Sequence, residues 1–581
     1  MAAVSEQPES QPSESQQRVS EPPEHRSASE ENPSTRRARA LVTALVAAGV
    51  RDVVLAPGSR SAPLAYALAA AAGAEWLRVH VRVDERSAGF VALGLSRERP
   101  AAVVTTSGTA VANLHPAVLE AAHAHLPLVV VSADRPHELR GVGANQTTDQ
   151  VKIFGSAVRG FWELPAGHGE PDALVRSAVV RAVTAASGLR TRNPGPVQLN
   201  IAFADPLVPD DEWSPGQRPA PAVAVQPSRP AAVVELARGP RTVVVAGDGA
   251  PSGLSAATER WGWPVLAEPS SGVRSSTFAL PAGSVLLGLD ELAAPIERVV
   301  VLGRPTLSRS VSRLLARTDV QIVVVSGAAD WADVAGTAAV VGDQVEVPGS
   351  PSAEEQLWWL RWAKAGSAAE QVLNSARGLD GTAVANLLLG TAESTVVLGS
   401  SMAVRHADLT GAVGEDLAPE LVVANRGLAG IDGTISTATG LALAGRQVRV
   451  LLGDLTFLHD LGGLARGRLE PEVDLQVIVL DDSGGTIFAT LEHGRTEHQG
   501  VFERYFATPQ HLDIAALSAG LGARHRLIRG TDGLVDLARE LAAPVRGRSV
   551  LQVQLDPQTE RARAVQLTEQ VAAAARAALA D

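Results

Sequence analysis

The sequence has no cysteine and only two lysines among its 581 residues. Without cysteine, disulfides, thiolate catalysis, cysteine-ligated zinc and iron–sulfur clusters are excluded. Lysine occurs only as Lys152 and Lys364, neither in a promising loop, which disfavours a pyridoxal-phosphate enzyme with its Schiff-base lysine. The other 49 basic residues are arginines, which suit planar, bidentate recognition of carboxylates and phosphates.

Long apolar runs and a basic charge excess are also missing. No apolar run reaches the ~18–20 residues that a membrane span needs, and the longest one ends at Glu75. The net charge of −12 disfavours nucleic-acid binding, which requires basic faces. We therefore expect a cytoplasmic protein with no membrane span and no nucleic-acid partner.

Two proline-rich stretches and a polar tail divide the chain. Residues 1–31 carry seven Glu and two Arg with almost no large apolar side chains, which is typical of a disordered tail. Asn32 is then expected to open a helix through Leu41 and Leu45. Seven prolines mark 206–230 as a linker, and 347–351 is a second break. The predicted domains are 32–205, 231–346 and 355–581.

Short Val, Leu and Ile runs alternate with Ala-rich helical stretches in all three domains, as in VVLAPGSR at 53–60 and VRVLLGDLTF at 448–457. Apolar runs that end in Gly, Ser or Asp before a helix are typical of βα units in a parallel sheet. The predicted fold class is therefore α/β, with three doubly wound parallel-sheet domains. Ligands of such sheets collect at the carboxyl ends of the strands.

Two acidic turns follow predicted strands of the third domain. Gly453 and Asp454 come after the strand at 448–452, and Asp482 and Gly484 come after the strand at 477–480. Neighbouring strands would let both carboxylates hold a hard cation such as Mg²⁺, with phosphate or water in its remaining positions. Two acidic turns that merely cap helices are the alternative. A similar turn, 247–249, has no acid or amide partner at the matching distance and is rejected.

Glu85 is the candidate for an inward carboxylate. The stretch WLRVHVRVDE at 76–85 places Leu77, Val79, Val81 and Val83 on one parity. Glu85 continues that parity, so a strand's period of two predicts that its side chain points to the packed side. The alternative is that the strand ends before Glu85.

An ordered set of motifs closely resembles the thiamine-diphosphate-dependent 2-oxo-acid decarboxylase superfamily, and within it the synthases of the menaquinone pathway. The motifs are LAPGSRSAPL at 55–64, DER at 84–86, TSGTAVAN at 106–113, ADRP at 133–136, GANQ at 143–146, GSSMAVR at 399–405, NRGLAGIDG at 425–433, GDL at 453–455 and GGTIF at 484–488. In that superfamily the distal metal ligand is Asn, where this chain has Asp482.

The resemblance implies a transferase that uses thiamine diphosphate and Mg²⁺, with Mn²⁺ as a possible replacement. It would decarboxylate 2-oxoglutarate and add the resulting succinyl carbanion to isochorismate in a 1,4 fashion. Glu85 would be catalytic, through a hydrogen bond to N1′ of the aminopyrimidine. The implied metal ligands are Asp454, Asp482 and Gly484, and the implied cofactor-binding residues are Ser401, Gly453, Asp454, Asp482, Gly484 and Ile487.

By the same resemblance, arginines would bind the four carboxylates of the two substrates. The implied substrate-binding residues are Ser59, Arg60, Arg135, Gln146, Arg309, Arg405, Arg426, Phe488 and Leu491. The family often has a Lys-Arg pair in the middle domain, whereas this chain has Ser308 before Arg309, and Arg304 is a candidate replacement. A cofactor shared by two subunits implies a homodimer or a dimer of dimers.

The sequence disfavours three rival functions. The nearest is another thiamine-diphosphate ligase or decarboxylase that acts on a 2-oxo acid, which the arginine set disfavours. A hydrolase is disfavoured by the βα rhythm, and the spacing of His493, Glu497 and His498 does not match a zinc-peptidase motif. A catalytically silent binding protein is disfavoured because Glu85, Asp454 and Asp482 are present together with the arginines.

Overall fold

The computed structural model describes residues 32–580, apart from 168–171, 222, 230–232, 376–377, 392–393, 411–418 and 420. The predicted tail at 1–31 lies outside the described residues. Within the described part of the chain, no helix is both long and apolar enough to cross a membrane.

The first sheet has six parallel strands in the order β2-β1-β3-β4-β6-β5. Asn32 caps the first helix, since its side chain accepts the Ser34 N–H at 3.0 Å, as predicted. The strands are β1 (Asp52–Leu55), β2 (Arg78–Val81), β3 (Ala101–Thr105), β4 (Leu128–Asp134), β5 (Phe161–Leu164) and β6 (Val197–Ala202), and the helices are α1 (Pro33–Ala47), α2 (Ala62–Gly73), α3 (Glu85–Ser96), α4 (Thr109–Ala112), α5 (His115–His123) and α6 (Asp172–Ala186).

The middle sheet has five parallel strands in the order β12-β11-β10-β8-β9, beside a two-stranded pair of β7 and β13. The strands are β7 (Val233–Glu235), β8 (Thr242–Ala246), β9 (Val265–Ala267), β10 (Arg298–Leu302), β11 (Gln321–Val325), β12 (Ala338–Gly342) and β13 (Gln344–Glu346), and the helices are α7 (Ser255–Trp261), α8 (Gly283–Leu286), α9 (Asp290–Ala293), α10 (Arg309–Leu315) and α11 (Ala353–Ser375).

The last sheet repeats the six-stranded parallel pattern in the order β15-β14-β16-β17-β19-β18. The strands are β14 (Thr395–Leu398), β15 (Leu421–Ala424), β16 (Val448–Gly453), β17 (Leu475–Asp481), β18 (Arg524–Ile528) and β19 (Arg548–Gln554), and the helices are α12 (Gly381–Thr391), α13 (Met402–Leu409), α14 (Thr434–Leu443), α15 (Asp454–His459), α16 (Thr486–Ala489), α17 (Gln499–Phe502), α18 (Ile514–Gly520), α19 (Gly533–Ala542) and α20 (Pro557–Ala580).

Helices α3 and α14 join the first and last sheets into one core. Buried residues of both helices pack in a single cluster with Val103 of β3 and Val450 of β16. Two glycines let the helices cross closely, because a Cβ on Gly94 would lie 2.1 Å from the Thr437 carbonyl oxygen and one on Gly440 would lie 2.2 Å from that of Val91. With only parallel pairing in all the sheets, the predicted α/β class is confirmed.

Candidate functional site

Two buried carboxylates meet at the carboxyl end of the last sheet. Strands β16 and β17 are neighbours in register, with Gly453 paired to Leu480. Asp454 begins α15 and Asp482 follows β17, and they are only 2% and 7% exposed. The parallel arrangement therefore brings both predicted metal ligands to one edge of one sheet.

The electrostatics of this pair favour a cation. The pKa of each carboxyl group is raised to about 7, mainly by burial, and the negative charge of Asp454 contributes to the rise at Asp482. The hydrogen bonds they accept, 2.7 Å from the Leu455 N–H and 2.5 Å from the Thr486 hydroxyl, offset only part of this effect. No salt bridge joins either carboxylate to a basic side chain in the described ranges. A hard divalent ion would neutralise both.

The turn after Asp482 shapes the edge beside the carboxylates. Gly484 has a φ of +142°, and a Cβ there would lie 2.5 Å from the Ala507 carbonyl oxygen. Its neighbour Gly485 donates its N–H to that same oxygen at 2.7 Å. No group of three His, Cys, Asp or Glu forms a metal cage among the residues described. Two carboxylates and a close backbone fit Mg²⁺ that completes its shell with phosphate and water.

Glu85 lies at the start of α3 and is half-buried. The alternation predicted for this stretch is wrong, because β2 ends at Val81 and Val83 is 82% exposed. On this edge strand the buried position is His80, 3.1 Å from Asp52, and directly after the strand Arg82 is also buried and pairs with a glutamate. Hydrogen-bond and ion-pair partners therefore decide which side chains are buried here, and the alternation of apolar residues does not. The strand ends before Glu85. The side chain of Asp84 accepts the Arg86 and Ser87 N–H groups and so starts the helix.

The first sheet carries one group of the predicted substrate residues, after β1, β3 and β4. Arg135 donates to the Ser107 hydroxyl at 2.6 Å, and Gln146 donates to the Ser107 carbonyl oxygen at 3.0 Å. Arg60 is close enough to Arg135 for that charge to lower its pKa, in addition to the larger effect of burial. Ser59 is exposed beside Arg60. Ser107 was not predicted as a site residue, although it lies within the TSGT motif.

The last sheet carries a second group of basic residues. Arg405 of α13 donates to the Ser401 carbonyl oxygen at 3.1 Å. Burial, and then the charge of Arg426, lowers the pKa of Arg405, and Arg309 adds a smaller effect of the same sign. Arg426 is 5% exposed, and its Nε has no hydrogen-bond partner in the described structure. Three cations close together with an unpaired buried donor suit an anionic ligand.

The middle sheet reaches this group through the segment 304–309. Arg304 donates to the backbone carbonyl oxygens of Arg426 and Gly427, so its guanidinium holds the chain that carries Arg426. Arg309 forms an exposed ion pair with Glu492, with an Nη1–Oε1 distance of 2.8 Å. Ser308 caps α10 by accepting the Ser310 N–H. Arg304 therefore supports the backbone at Arg426 in this structure.

Aromatic side chains line the loop that follows Gly484. Phe488 packs edge-to-face on Phe506 with ring centroids 5.9 Å apart, and His493 stacks on the same ring at 4.6 Å. Ile487 and Leu491 are half-buried beside Phe488, which is partly exposed. The loop thus presents an apolar surface next to the two carboxylates.

Two buried acids of this region were missed by the sequence reasoning. Glu268 follows β9 and accepts two backbone N–H groups of the 304–309 segment. Asp408 accepts the Ser284 hydroxyl at 2.6 Å, and Arg274, Arg405 and Arg426 all lower its pKa, which burial raises. No motif or periodicity marks either residue, because each is paired with segments far away in the sequence.

Comparison with known proteins identifies the family. Residues 35–153 match the model of the thiamine pyrophosphate enzyme N-terminal TPP binding domain. The chain is 49% identical to the 2-succinyl-5-enolpyruvyl-6-hydroxy-3-cyclohexene-1-carboxylate synthase of Kineococcus radiotolerans, over 94% of this chain and 100% of the relative. The synthases of Paenarthrobacter aurescens and Saccharopolyspora erythraea are 46% and 42% identical, over 92% and 94% of this chain and 96% and 100% of theirs. The chain therefore belongs to the 2-succinyl-5-enolpyruvyl-6-hydroxy-3-cyclohexene-1-carboxylate synthases, a family of thiamine-diphosphate-dependent enzymes.

Proposed function

We propose that the chain makes 2-succinyl-5-enolpyruvyl-6-hydroxy-3-cyclohexene-1-carboxylate, the product for which its relatives are named, and that it does so in menaquinone biosynthesis. It would decarboxylate 2-oxoglutarate and join the resulting four-carbon unit to isochorismate by 1,4-addition. The observation that carries the proposal is the pair of buried carboxylates, Asp454 and Asp482, beside the arginine group of the same sheet. That arrangement suits a metal–diphosphate group next to a polyanionic substrate.

The donor atoms at the end of the last sheet support a proposed place for the cofactor. When bound, thiamine diphosphate supplies a cationic thiazolium ring able to accept the electron pair released by decarboxylation of a 2-oxo acid. Asp454, Asp482 and the Gly484 carbonyl group would ligate Mg²⁺, or Mn²⁺ in its place. Ser401, Gly453 and Ile487 would contact the cofactor. An aspartate at 482, where the superfamily has asparagine, keeps an oxygen ligand and adds a negative charge for the cation to neutralise.

Glu85 would hold the proton that passes to and from N1′ of the cofactor's aminopyrimidine. Its half-buried position at the start of α3 leaves the carboxylate accessible to a ligand. A positioned carboxyl group is one of the side chains that carry out general acid–base catalysis.

The two arginine groups would divide the substrate carboxylates between them. Arg60 and Arg135, with Ser59 and Gln146, would bind from the first sheet. Arg405 and Arg426 would bind from the last sheet, with Arg309 contributed by the middle one. The guanidinium fork fixes a carboxylate in one orientation, which positions the reacting carbons. Ile487, Phe488 and Leu491 would exclude water from the reacting centre.

The assembly is proposed to be a homodimer or a dimer of dimers, with each site shared between subunits, in the cytoplasm. Exposed apolar side chains next to the candidate residues support an interface there: Val83 is 82% exposed two residues before Glu85, and Leu428 is exposed two residues after Arg426. The predicted boundaries at 32–205, 231–346 and 355–581 remain the proposed domain division.

A direct test follows isochorismate absorbance with purified protein, thiamine diphosphate, Mg²⁺ and 2-oxoglutarate. We expect absorbance to fall only when all four components accompany isochorismate. Release of CO₂ from 2-oxoglutarate with no loss of isochorismate would favour another decarboxylase or ligase of the superfamily. Neither signal would contradict the proposed reaction.

A further inference from the structure

Glu268 is a buried carboxylate of the middle sheet that lies outside every motif used above. It follows β9, its backbone N–H bonds to the Ala246 carbonyl oxygen at 2.8 Å, and its side chain is only 6% exposed. An isolated buried carboxylate is costly, so such a group is retained where its hydrogen bonds hold something in place.

The partners of Glu268 lie in the segment 304–309. Its Oε1 accepts the Thr306 N–H at 2.6 Å and the Leu307 N–H at 2.7 Å. Burial raises the pKa of Glu268 to about 7, and its ionised form accepts hydrogen bonds about twice as strong as neutral ones. One oxygen of Glu268 therefore fixes the backbone of two consecutive residues at the end of the middle sheet.

Thr306 connects this anchor to Arg426. Its hydroxyl oxygen accepts Arg426 Nη2 at 2.8 Å, while Arg304 of the same segment holds the Arg426 carbonyl oxygen. The segment thus contacts both the backbone and the side chain of Arg426. Arg426 also lowers the pKa of Glu268, against the larger effect of burial, so the two charges are close.

The hydrogen bonds leave part of the Arg426 guanidinium available. Its Nη2 is used by Thr306, whereas its buried Nε has no partner in the part of the chain described. A guanidinium pinned at one nitrogen presents the rest of its fork in a fixed direction, which lowers the entropy lost when a carboxylate binds.

We infer that Glu268 is a positioning residue that, through Thr306, aims the guanidinium of Arg426 at a carboxylate of the substrate. The inference rests on the proposed function and adds to it a role for the middle sheet. In a chain with Ser308 where the family often has lysine, the middle sheet then acts on the substrate by orienting an arginine of the last sheet.

Thr306 offers a clean test because its side chain is exposed, so exchanging it has little effect on folding. Thr306→Val removes the hydroxyl and keeps the shape, and Thr306→Ser keeps the hydroxyl. We expect Thr306→Val to raise the KM of the carboxylate substrate bound by Arg426 about tenfold, with kcat changed less than about threefold. Thr306→Ser should stay within about twofold of the wild type.

Glu268→Gln keeps one acceptor oxygen and should raise the same KM by about threefold, because a neutral acceptor holds the two N–H groups less strongly. Combined with Thr306→Val, it should add nothing to the single change, since both act on one path to Arg426. The matched control is Glu297→Gln, which removes an exposed carboxylate that accepts the Arg241 N–H, and its KM values should equal those of the wild type.

The inference is overturned if Thr306→Val leaves both KM values unchanged, if Thr306→Ser is as impaired as Thr306→Val, or if the effects of Thr306→Val and Glu268→Gln add fully. Melting temperatures identify a merely structural role, in which stability falls and both KM values hold. A wild-type holoenzyme that neither binds 2-oxoglutarate or isochorismate in calorimetry nor converts them would contradict the proposed function and the positioning role together.

Discussion

The first and last sheets have the same strand order but carry residues of opposite charge directly after their fourth strands. Each runs second-first-third-fourth-sixth-fifth in its own numbering, with all strands parallel. Strand β4 of the first sheet is followed by Arg135, whereas the equivalent strand β17 of the last sheet is followed by Asp482. Topology therefore fixes where a site forms, and the residue after the strand decides its charge.

The acids at these two edges also differ in their partners. Asp134, the last residue of β4, is fully buried, but Arg140 lies 2.9 Å away and Asn200 donates to it at 2.9 Å. Asp454 and Asp482 have only neutral donors within the described structure. The charge of a buried acid with a basic partner is already balanced within the protein. The pair at the last sheet has no such partner, which supports the Mg²⁺ site proposed there.

We expect the largest effect from removing either carboxylate of that pair. Asp454→Ala or Asp482→Ala should lower activity by at least about 1,000-fold, because the metal loses one of two charged ligands. Calorimetric titration with Mg²⁺ and thiamine diphosphate should then detect no binding at concentrations that saturate the wild type.

The matched control is Asp481→Asn, since Asp481 ends β17 and its carboxylate accepts the Gln552 amide at 2.7 Å. It should keep cofactor binding within about threefold of the wild type, the size of one neutral hydrogen bond. Equal losses of cofactor binding in all three variants would show that any substitution here disrupts this end of the sheet, and would contradict a specific role for Asp454 and Asp482.

Glu85→Gln separates proton transfer from metal binding. We expect kcat to fall at least about 100-fold, because the amide cannot exchange a proton with the cofactor. Mg²⁺ affinity should be largely unchanged, since no metal ligand is altered. Near-normal turnover by this variant, measured from isochorismate absorbance, would contradict the role given to Glu85.

Arg135→Lys tests the first sheet's contribution. A lysine keeps the charge but loses the fork, so kcat/KM should fall about tenfold while cofactor binding stays unchanged. Arg36→Lys, at an exposed ion pair with Asp172, is the control and should have no effect. Substrate kinetics equal to wild type in Arg135→Lys would remove this residue from the site.

The last expected effect is on stability and not on activity, and it concerns Glu560 at the start of α20, where burial raises the pKa of the carboxyl group from 4.5 to about 7. A folded-state pKa above the unfolded value means that the fold binds more protons, so stability falls as pH rises from about 4.5 to 7. Glu560→Gln avoids this loss, which has an upper bound of about 3 kcal/mol.

The melting temperature of Glu560→Gln minus that of the wild type should therefore increase as the pH rises from 5 to 8. Glu569→Gln, exposed on the same helix, should show no such trend. A difference between Glu560→Gln and wild type that is constant with pH would contradict the sign of the shift.

How much of this could be predicted from sequence depends on how local the signal is. The capping of α1 by Asn32 and the strands before Asp454 and Asp482 are set by neighbours in the chain, and they were predicted. The alternation around Glu85 was misread because the partners of His80 and Arg82 include Asp52 and Glu470, which no local pattern reveals. The link from Glu268 through Thr306 to Arg426 spans two sheets. Because it joins residues far apart in the sequence, only the three-dimensional structure reveals it.

The central proposal is that each site lies across a subunit interface. The carboxyl end of the first sheet in one subunit and the carboxyl end of the last sheet in the other form it together. Co-expressing differently tagged Glu85→Gln and Asp482→Ala chains and isolating the mixed dimer tests it directly. Each homodimer should be inactive, and the mixed dimer should have about half of the wild-type activity, because one of its two sites then holds both wild-type residues. An inactive mixed dimer would place both halves of the site within a single chain and contradict the account.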